Sequence, residues 1–299
     1  MTLGLQRSPG RRVEVDGLRL HVVDEGEGAP VLLLHGFTGC GENLASLAAE
    51  LREDGRRTLL LDLIGHGRSD APVDRARYRM ERCVDDVARA LTSLGVGRAD
   101  VFGYSMGGRV ALALAVRHPG RVRSAVLVGA SAGIADPAER AARVEADEKL
   151  AASLLSDGIP AFVERWMAQP LFATQRRVAR PQVSRERRLR LKNRPHALAL
   201  SLQGMGAGVQ PPLHAALSAV RLPVLLVAGA DDPKFVALAR ELAARLPQAR
   251  AAIVPDAGHS VQLEQPEALS RLVRSFLRSP ETFGGEHGPR DPRGLEDAP

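Results

Sequence analysis

Four short stretches of the 299-residue chain carry side chains that could do chemistry together. The first, Gly103-Tyr-Ser-Met-Gly107, is a G-x-S-x-G pattern between an apolar run ending at Phe102 and a helical pattern that starts near Gly107. A serine hydroxyl becomes a useful nucleophile or base when it is exposed, close to a histidine and near the positive end of a helix dipole. A strand-turn-helix elbow favours all three, and glycines at 103, 107 and 108 let backbone approach the crowded turn. The second, Leu34-His-Gly-Phe-Thr-Gly39, follows another apolar run, where an oxyanion-hole loop is expected. The candidate donors are the backbone N–H of Phe37 and that of Met106, the residue after the serine. Removing one such donor typically costs about 2.7 to 4 kcal/mol of transition-state stabilisation. His35 is read as structural.

The order Ser, Asp, His asks for an acid and a base later in the chain. Ala228-Gly-Ala-Asp-Asp-Pro-Lys-Phe235 places Asp231 and Asp232 just after an apolar run, and Ala257-Gly-His259-Ser260 follows the next one in the same way. His259 is the base candidate, because among the eight histidines it lies in a glycine-flanked loop after the last strand. Spacing alone leaves Asp231 and Asp232 open: one orients the imidazole, and the other caps the following helix or faces solvent. No histidine pair is spaced like a metal site, and neither a metal nor a cofactor is expected.

These residues need a scaffold that brings distant loops to one edge. Residues 13–15 and 18–23 flank Asp16-Gly17, a hairpin signal. Six apolar runs follow, at 31–34, 58–62, 100–104, 125–129, 224–228 and 251–254, most of them separated by helical patterns. This is the rhythm of a mostly parallel α/β sheet covered on both faces. One interval departs from it. From Gly133 to about residue 218 the chain is helical, arginine-rich and punctuated by prolines, which predicts a helical cap inserted into a core of residues 1–132 and 219–279. Residues 280–299 have almost no apolar content and are expected to form a disordered tail.

Composition removes several function classes. The net charge of +6 comes from 41 basic and 35 acidic residues that are interspersed, and only ten residues are aromatic, so a nucleic-acid surface has little material. Only Lys149, Lys192 and Lys234 among the basic residues are lysines. A pocket for an acidic small molecule needs just a few well-placed arginines. No apolar stretch is long enough to span a bilayer, so no membrane partner is expected. No secretory signal is apparent, and the expected compartment is the cytoplasm. Cys40 and Cys83 are too few for a disulfide framework. Nothing in the sequence sets an oligomeric state.

With elbow, HGF loop, late acid and GH histidine in order, the chain resembles an α/β-hydrolase over residues 13–278. A narrower resemblance lies in Gly103-Tyr-Ser-Met-Gly-Gly-Arg109, Glu139-Arg-Ala-Ala-Arg143, Trp166 with Gln169-Pro-Leu-Phe172, Ser201-Leu-Gln-Gly-Met205 with Val209-Gln-Pro-Pro-Leu213, and Asp232-Pro-Lys-Phe235. Together these are similar to the 2-succinyl-6-hydroxy-2,4-cyclohexadiene-1-carboxylate synthases of menaquinone biosynthesis. The resemblance implies a lyase that eliminates pyruvate from 5-enolpyruvoyl-6-hydroxy-2-succinyl-cyclohex-3-ene-1-carboxylate, with Ser105, Asp232 and His259 as triad and the serine acting as a base. It selects Asp232 over Asp231 and implies a tricarboxylate ligand held by Arg109 and Arg143. Tyr104 and Trp166 are further candidates for substrate contact, set against the plainer roles of a buried ring and a packing anchor. Arg143 likewise has a plainer role, pairing on a helix surface with Glu139 four residues earlier. Asn43-Leu44 departs from the tryptophan often found after the oxyanion loop in that family. The alternatives are a serine esterase or carbon–carbon bond hydrolase on the same triad, and a non-catalytic small-ligand-binding protein.

Overall fold

The computed structural model describes residues 10–281, so the segment expected to be disordered lies outside the described residues apart from Pro280 and Glu281. Eight strands form one sheet: β1 (Arg11–Val15), β2 (Leu18–Glu25), β3 (Ala29–Leu34), β4 (Arg56–Leu61), β5 (Ala99–Tyr104), β6 (Val122–Val128), β7 (Val224–Gly229) and β8 (Ala249–Val254). Their order across the sheet is β1-β2-β4-β3-β5-β6-β7-β8. The strand pairs β1/β2 and β2/β4 are antiparallel and the rest parallel. The Asp16-Gly17 signal is realised as a two-residue hairpin with both φ angles positive, 47° and 73°.

Apolar runs in the central strands supply both faces because side chains alternate across a strand. Leu32 and Leu34 of β3 join one core cluster, with α2 (Met80–Ser93), α3 (Met106–Arg117) and α7 (Pro233–Arg245) laid over it. Val31 and Leu33 join the other, beneath α1 (Ala45–Glu53) and the helix Pro266–Arg278. Parallel strands all point their C-terminal ends the same way, so the loops after β3, β5, β7 and β8 meet at one edge.

Between β6 and β7 the described chain contains no strand. It runs through α4 (Pro137–Met167), α5 (Arg180–Leu191) and α6 (Pro195–Met205). Helix α4 bends at Gly158 (φ 75°, ψ 173°), just before Pro160, whose ring cannot fit a continuous helix. This insertion has a small core of its own, made by Ala151, Leu154, Phe162, Val163, Leu198, Ala199 and Leu202. Phe37 packs against both that cluster and the main core, which seats the insertion over the loop after β3. The closing 3₁₀ turn His214–Ala219 behaves differently, because its Leu217 belongs to the main core.

Phe102, 1% exposed at the centre of β5, shows how much the sheet depends on this filling. Phe102→Ala is expected to cost about 3 to 5 kcal/mol in a urea unfolding experiment, the range for a truncated core aromatic. A loss below about 1 kcal/mol would contradict its place in the core.

Candidate active site

Ser105 sits at the junction of β5 and α3 with φ 52° and ψ −110°, a region sparsely populated by residues other than glycine and costing about 1 to 3 kcal/mol. The surroundings hold it there: Ser105 N–H donates to the Val128 carbonyl (2.8 Å), and its own carbonyl accepts from Arg109 N–H (3.0 Å). A β-carbon on Gly107 would lie 2.3 Å from the Leu34 carbonyl oxygen, so α3 can press against β3 only with glycine at that position. Helix α3 begins at Met106, earlier than the sequence pattern indicated.

The late loops complete a hydrogen-bonded chain. His259 Nε2 stands 3.1 Å from Ser105 Oγ, and His259 Nδ1 3.0 Å from Asp232 Oδ2. With Nδ1–H donating to the carboxylate, Nε2 is left as the acceptor facing the serine. Asp232 takes both roles that the sequence divided between two aspartates, because its other oxygen accepts the Phe235 N–H (3.3 Å) and caps α7. Asp231 is exposed and pairs with Arg177. Two features that the sequence reading missed set the histidine. Gly129 (φ 57°) leaves room for it, since a β-carbon there would meet the imidazole at 2.9 Å. Glu264 accepts the N–H groups of Gly258 (2.9 Å) and Ser260 (3.1 Å), pinning the loop from both sides.

Met106, as the first residue of α3, has an N–H with no intrahelical acceptor. Phe37 N–H likewise finds no acceptor among the described residues. His35, fully buried, shapes that loop: Nδ1–H donates to the Gly36 carbonyl (2.8 Å), and Nε2 accepts from Leu63 N–H (3.0 Å). Burial holds its imidazole neutral by pushing the pKa down.

A cavity of about 190 Å³ opens above the serine, and Arg109, Arg143, Arg190 and Lys234 all line it. Arg109 Nη1 donates to the Met205 carbonyl and to Gln210 Oε1, both at 2.7 Å. Burial, with the neighbouring Arg143 charge adding to it, pushes the Arg109 pKa down to about 10, which still leaves it cationic at neutral pH. Arg143 pairs with Asp147 (2.9 Å), one turn further along α4, and not with Glu139 as its surface reading supposed. Arg190, which the sequence comparison left out, is 6% exposed, pairs with Glu186 (3.1 Å), and its Nε has no partner among the described residues. The family resemblance places an arginine near Arg190 and Lys192 but out of register by a residue or two, and the packing of α5 decides for Arg190. Trp166 both anchors and lines: its ring meets Phe37, Phe162 and Phe172 at centroid distances of 5.2, 5.9 and 5.7 Å, while its buried Nε1–H has no partner among the described residues. The Tyr104 ring lines the cavity and meets His259 at 5.5 Å, but its hydroxyl is engaged by Ser260 (3.0 Å), away from a free role. No cluster of three or more metal-ligating side chains occurs among the described residues.

Residues 29–266 match the family model described as the alpha/beta hydrolase fold. This chain belongs to the α/β-hydrolase family. It is 41% identical over 266 residues to a Bacillus subtilis (strain 168) protein provisionally named 2-succinyl-6-hydroxy-2,4-cyclohexadiene-1-carboxylate synthase, spanning 88% of this chain and 96% of that one. The synthase of the same name from Enterobacter sp. (strain 638) is 32% identical over 248 residues, covering 83% and 91%. The solved structure of MenH from S. aureus superposes with a TM-score of 0.82 at 27% identity, over 86% of this chain and 98% of that one. Among the described residues of the α/β hydrolase, no helix is long and apolar enough to cross a membrane.

Fully buried His66 offers a test of this loop cluster by pH. Burial pushes its pKa down to about 3, whereas in the unfolded chain an imidazole titrates near 6.5. The neutral form therefore stabilises the fold fully above about pH 6.5, and that contribution is lost as the pH falls toward 3. Melting temperature followed from pH 8 to pH 4 should drop on the acid side, and His66→Gln should flatten that drop. An acid limb identical in the variant would contradict the assignment.

Proposed function

We propose that this α/β hydrolase is a lyase of menaquinone biosynthesis, eliminating pyruvate from 5-enolpyruvoyl-6-hydroxy-2-succinyl-cyclohex-3-ene-1-carboxylate to give 2-succinyl-6-hydroxy-2,4-cyclohexadiene-1-carboxylate. The inserted helices, residues 133–218, act as a cap over a core of residues 1–132 and 219–279, and the enzyme works in the cytoplasm. The observation that carries the reading is a cation-lined cavity set directly over the Ser105, His259 and Asp232 chain. A substrate with three carboxylates suits three arginines, whereas an apolar acyl chain gains nothing from them.

The bonds that change define what the residues must do. Between substrate and product the ring loses a proton from C2 and the enolpyruvyl oxygen from C5, and the C3=C4 double bond becomes C2=C3 and C4=C5. The C2 proton is acidic because the succinyl ketone is attached there, so its removal puts negative charge on the ketone oxygen. Ser105 Oγ takes that proton as its own passes to His259 Nε2, and Asp232 stabilises the imidazolium that forms. The N–H groups of Phe37 and Met106 donate to the ketone oxygen as its charge develops. The C5–O electron pair leaves with enolpyruvate, which becomes pyruvate by taking the proton held on His259. Arg109, Arg143 and Arg190 bind carboxylates, and Trp166 and Tyr104 wall the ring.

Pyruvate release from this substrate, followed with a coupled dehydrogenase, tests the proposal. Ser105→Ala should lose about 10²- to 10⁴-fold in kcat. Arg109→Ala or Arg143→Ala should lose about 2 to 5 kcal/mol in kcat/KM on the tricarboxylate, with Arg109→Lys also impaired because an ammonium cannot reproduce the guanidinium fork. A neutral aryl ester should be nearly indifferent to the arginine changes. Normal pyruvate release by Ser105→Ala would sink the role of the serine, and equal losses on both substrates would make the arginines structural.

A further inference from the structure

The loop after β3 is held in a conformation that its own residues do not favour. Thr38 is 0% exposed and has φ 66°, a left-handed backbone for a β-branched residue. Its hydroxyl finds no partner among the described residues, so no local side-chain bond accounts for the strain. Beside the core's own ties, His35 to the Gly36 carbonyl and Gly41 N–H to Asp62 Oδ1 (2.6 Å), the inserted helices hold the loop. Asn193, just past α5, donates from Nδ2 to the Thr38 carbonyl (2.7 Å) and to the Arg190 carbonyl (3.1 Å). Two residues beyond Thr38, the Cys40 N–H donates to Asn43 Oδ1 (2.7 Å). The Asn43 amide in turn donates to Glu186 Oε2 on α5 (2.7 Å). That carboxylate oxygen also accepts from Arg190 Nη1 (3.1 Å).

We propose that Asn193 and the Asn43–Glu186 pair form a clamp through which α5 fixes the oxyanion loop, so that Arg190 in the cavity and the Phe37 N–H are set by one helix. These are positioning residues. Asn193, Glu186 and Arg190 are all buried, at 7, 7 and 6% exposure, so water competes poorly for their hydrogen bonds. The geometry joins recognition to catalysis: a carboxylate that engages Arg190 draws on the same Glu186 that holds Asn43. Leu44 and Asn43 occupy the stretch where the sequence departs from its family resemblance, and Asn43 is the residue that bridges the two elements. The inference rests on the reading of Phe37 N–H as an oxyanion donor.

The experiment uses the full chain and two readings. One is kcat and KM for pyruvate release. The other is inhibition by phenylboronic acid, whose boron accepts an electron pair from Ser105 Oγ while the serine proton passes to His259, leaving a tetrahedral anion in the oxyanion position. Asn43→Asp keeps the acceptor for Cys40 N–H but sets a carboxylate against Glu186. It should lower kcat by about 10- to 100-fold and weaken the boronate by a similar factor, the scale of a small misplacement at the reacting centre. KM should change less than about threefold, because the interaction lost is one made in the transition state. Adding Glu186→Gln to Asn43→Asp reverses the donor and acceptor across the gap and should restore most of both losses. Asn193→Ala provides the second, independent break and should lower kcat and boronate affinity together. If both single variants keep wild-type kcat and boronate inhibition, or lose only thermal stability, the clamp is overturned. If the boronate fails to inhibit the wild-type enzyme although pyruvate is released, the oxyanion reading beneath the clamp falls with it.

Discussion

Everything in the site depends on how closely α3 approaches the end of β5. The turn between them is so short that Ser105 must take a left-handed backbone, and neighbouring β-carbons would collide with the Leu34 and Gly107 carbonyls if glycine were absent at 107 and 103. The strain is offset by the sheet: Ser105 N–H bonds to β6 and the helix starts immediately afterwards. From that one constraint follow the outward serine, the free N–H of Met106 and the position His259 must reach from the far side of β7. Gly129 is the matching concession just after β6, since the imidazole lies where its side chain would be.

The inserted helices add Arg143 and Arg190 to a site where α3 already places Arg109 and α7 places Lys234. Placing Arg109, Arg143 and Arg190 around one small cavity is unfavourable without a ligand, because each cation loses hydration and repels the others. The depressed pKa of Arg109 records that cost, whereas Asp147 is pushed up by its own burial against the pull of Arg143 and Arg109. Incoming carboxylates relieve the repulsion among the arginines. Under the proposed function, a fold shared with many hydrolases selects a polyanion through arginines supplied jointly by α3 and the inserted helices, while the hydrogen-bonded Ser105, His259 and Asp232 belong to the sheet edge.

The parts legible in the sequence are those with local signatures. An elbow announces itself because its serine, its glycines and the change of periodicity lie within a few residues, and the strands are legible as continuous apolar runs. Contacts that depend on how the inserted helices settle were not legible. Arg143 could be paired with Glu139 or Asp147 on spacing alone, and burial of Asp147 decides for the latter. Arg190 reads as one arginine among several on a polar helix until α5 is placed against the loop after β3. Glu264 and Gly129 carry no motif, and their roles appear only when the loops holding His259 and ending β6 are side by side. Asp232 could not be assigned by spacing because one carboxylate has two oxygens and serves both neighbours.

In the proposed reaction Ser105 acts as a base toward a carbon-bound proton and forms no ester. Substrate carrying deuterium at C2 in place of hydrogen tests it most directly, with the intact mass of the protein monitored during turnover. Pyruvate release from the deuterated substrate should be slower, and the protein mass should stay unchanged throughout. Equal rates for the two substrates, together with a mass increase located on Ser105, would contradict it and make the serine a nucleophile.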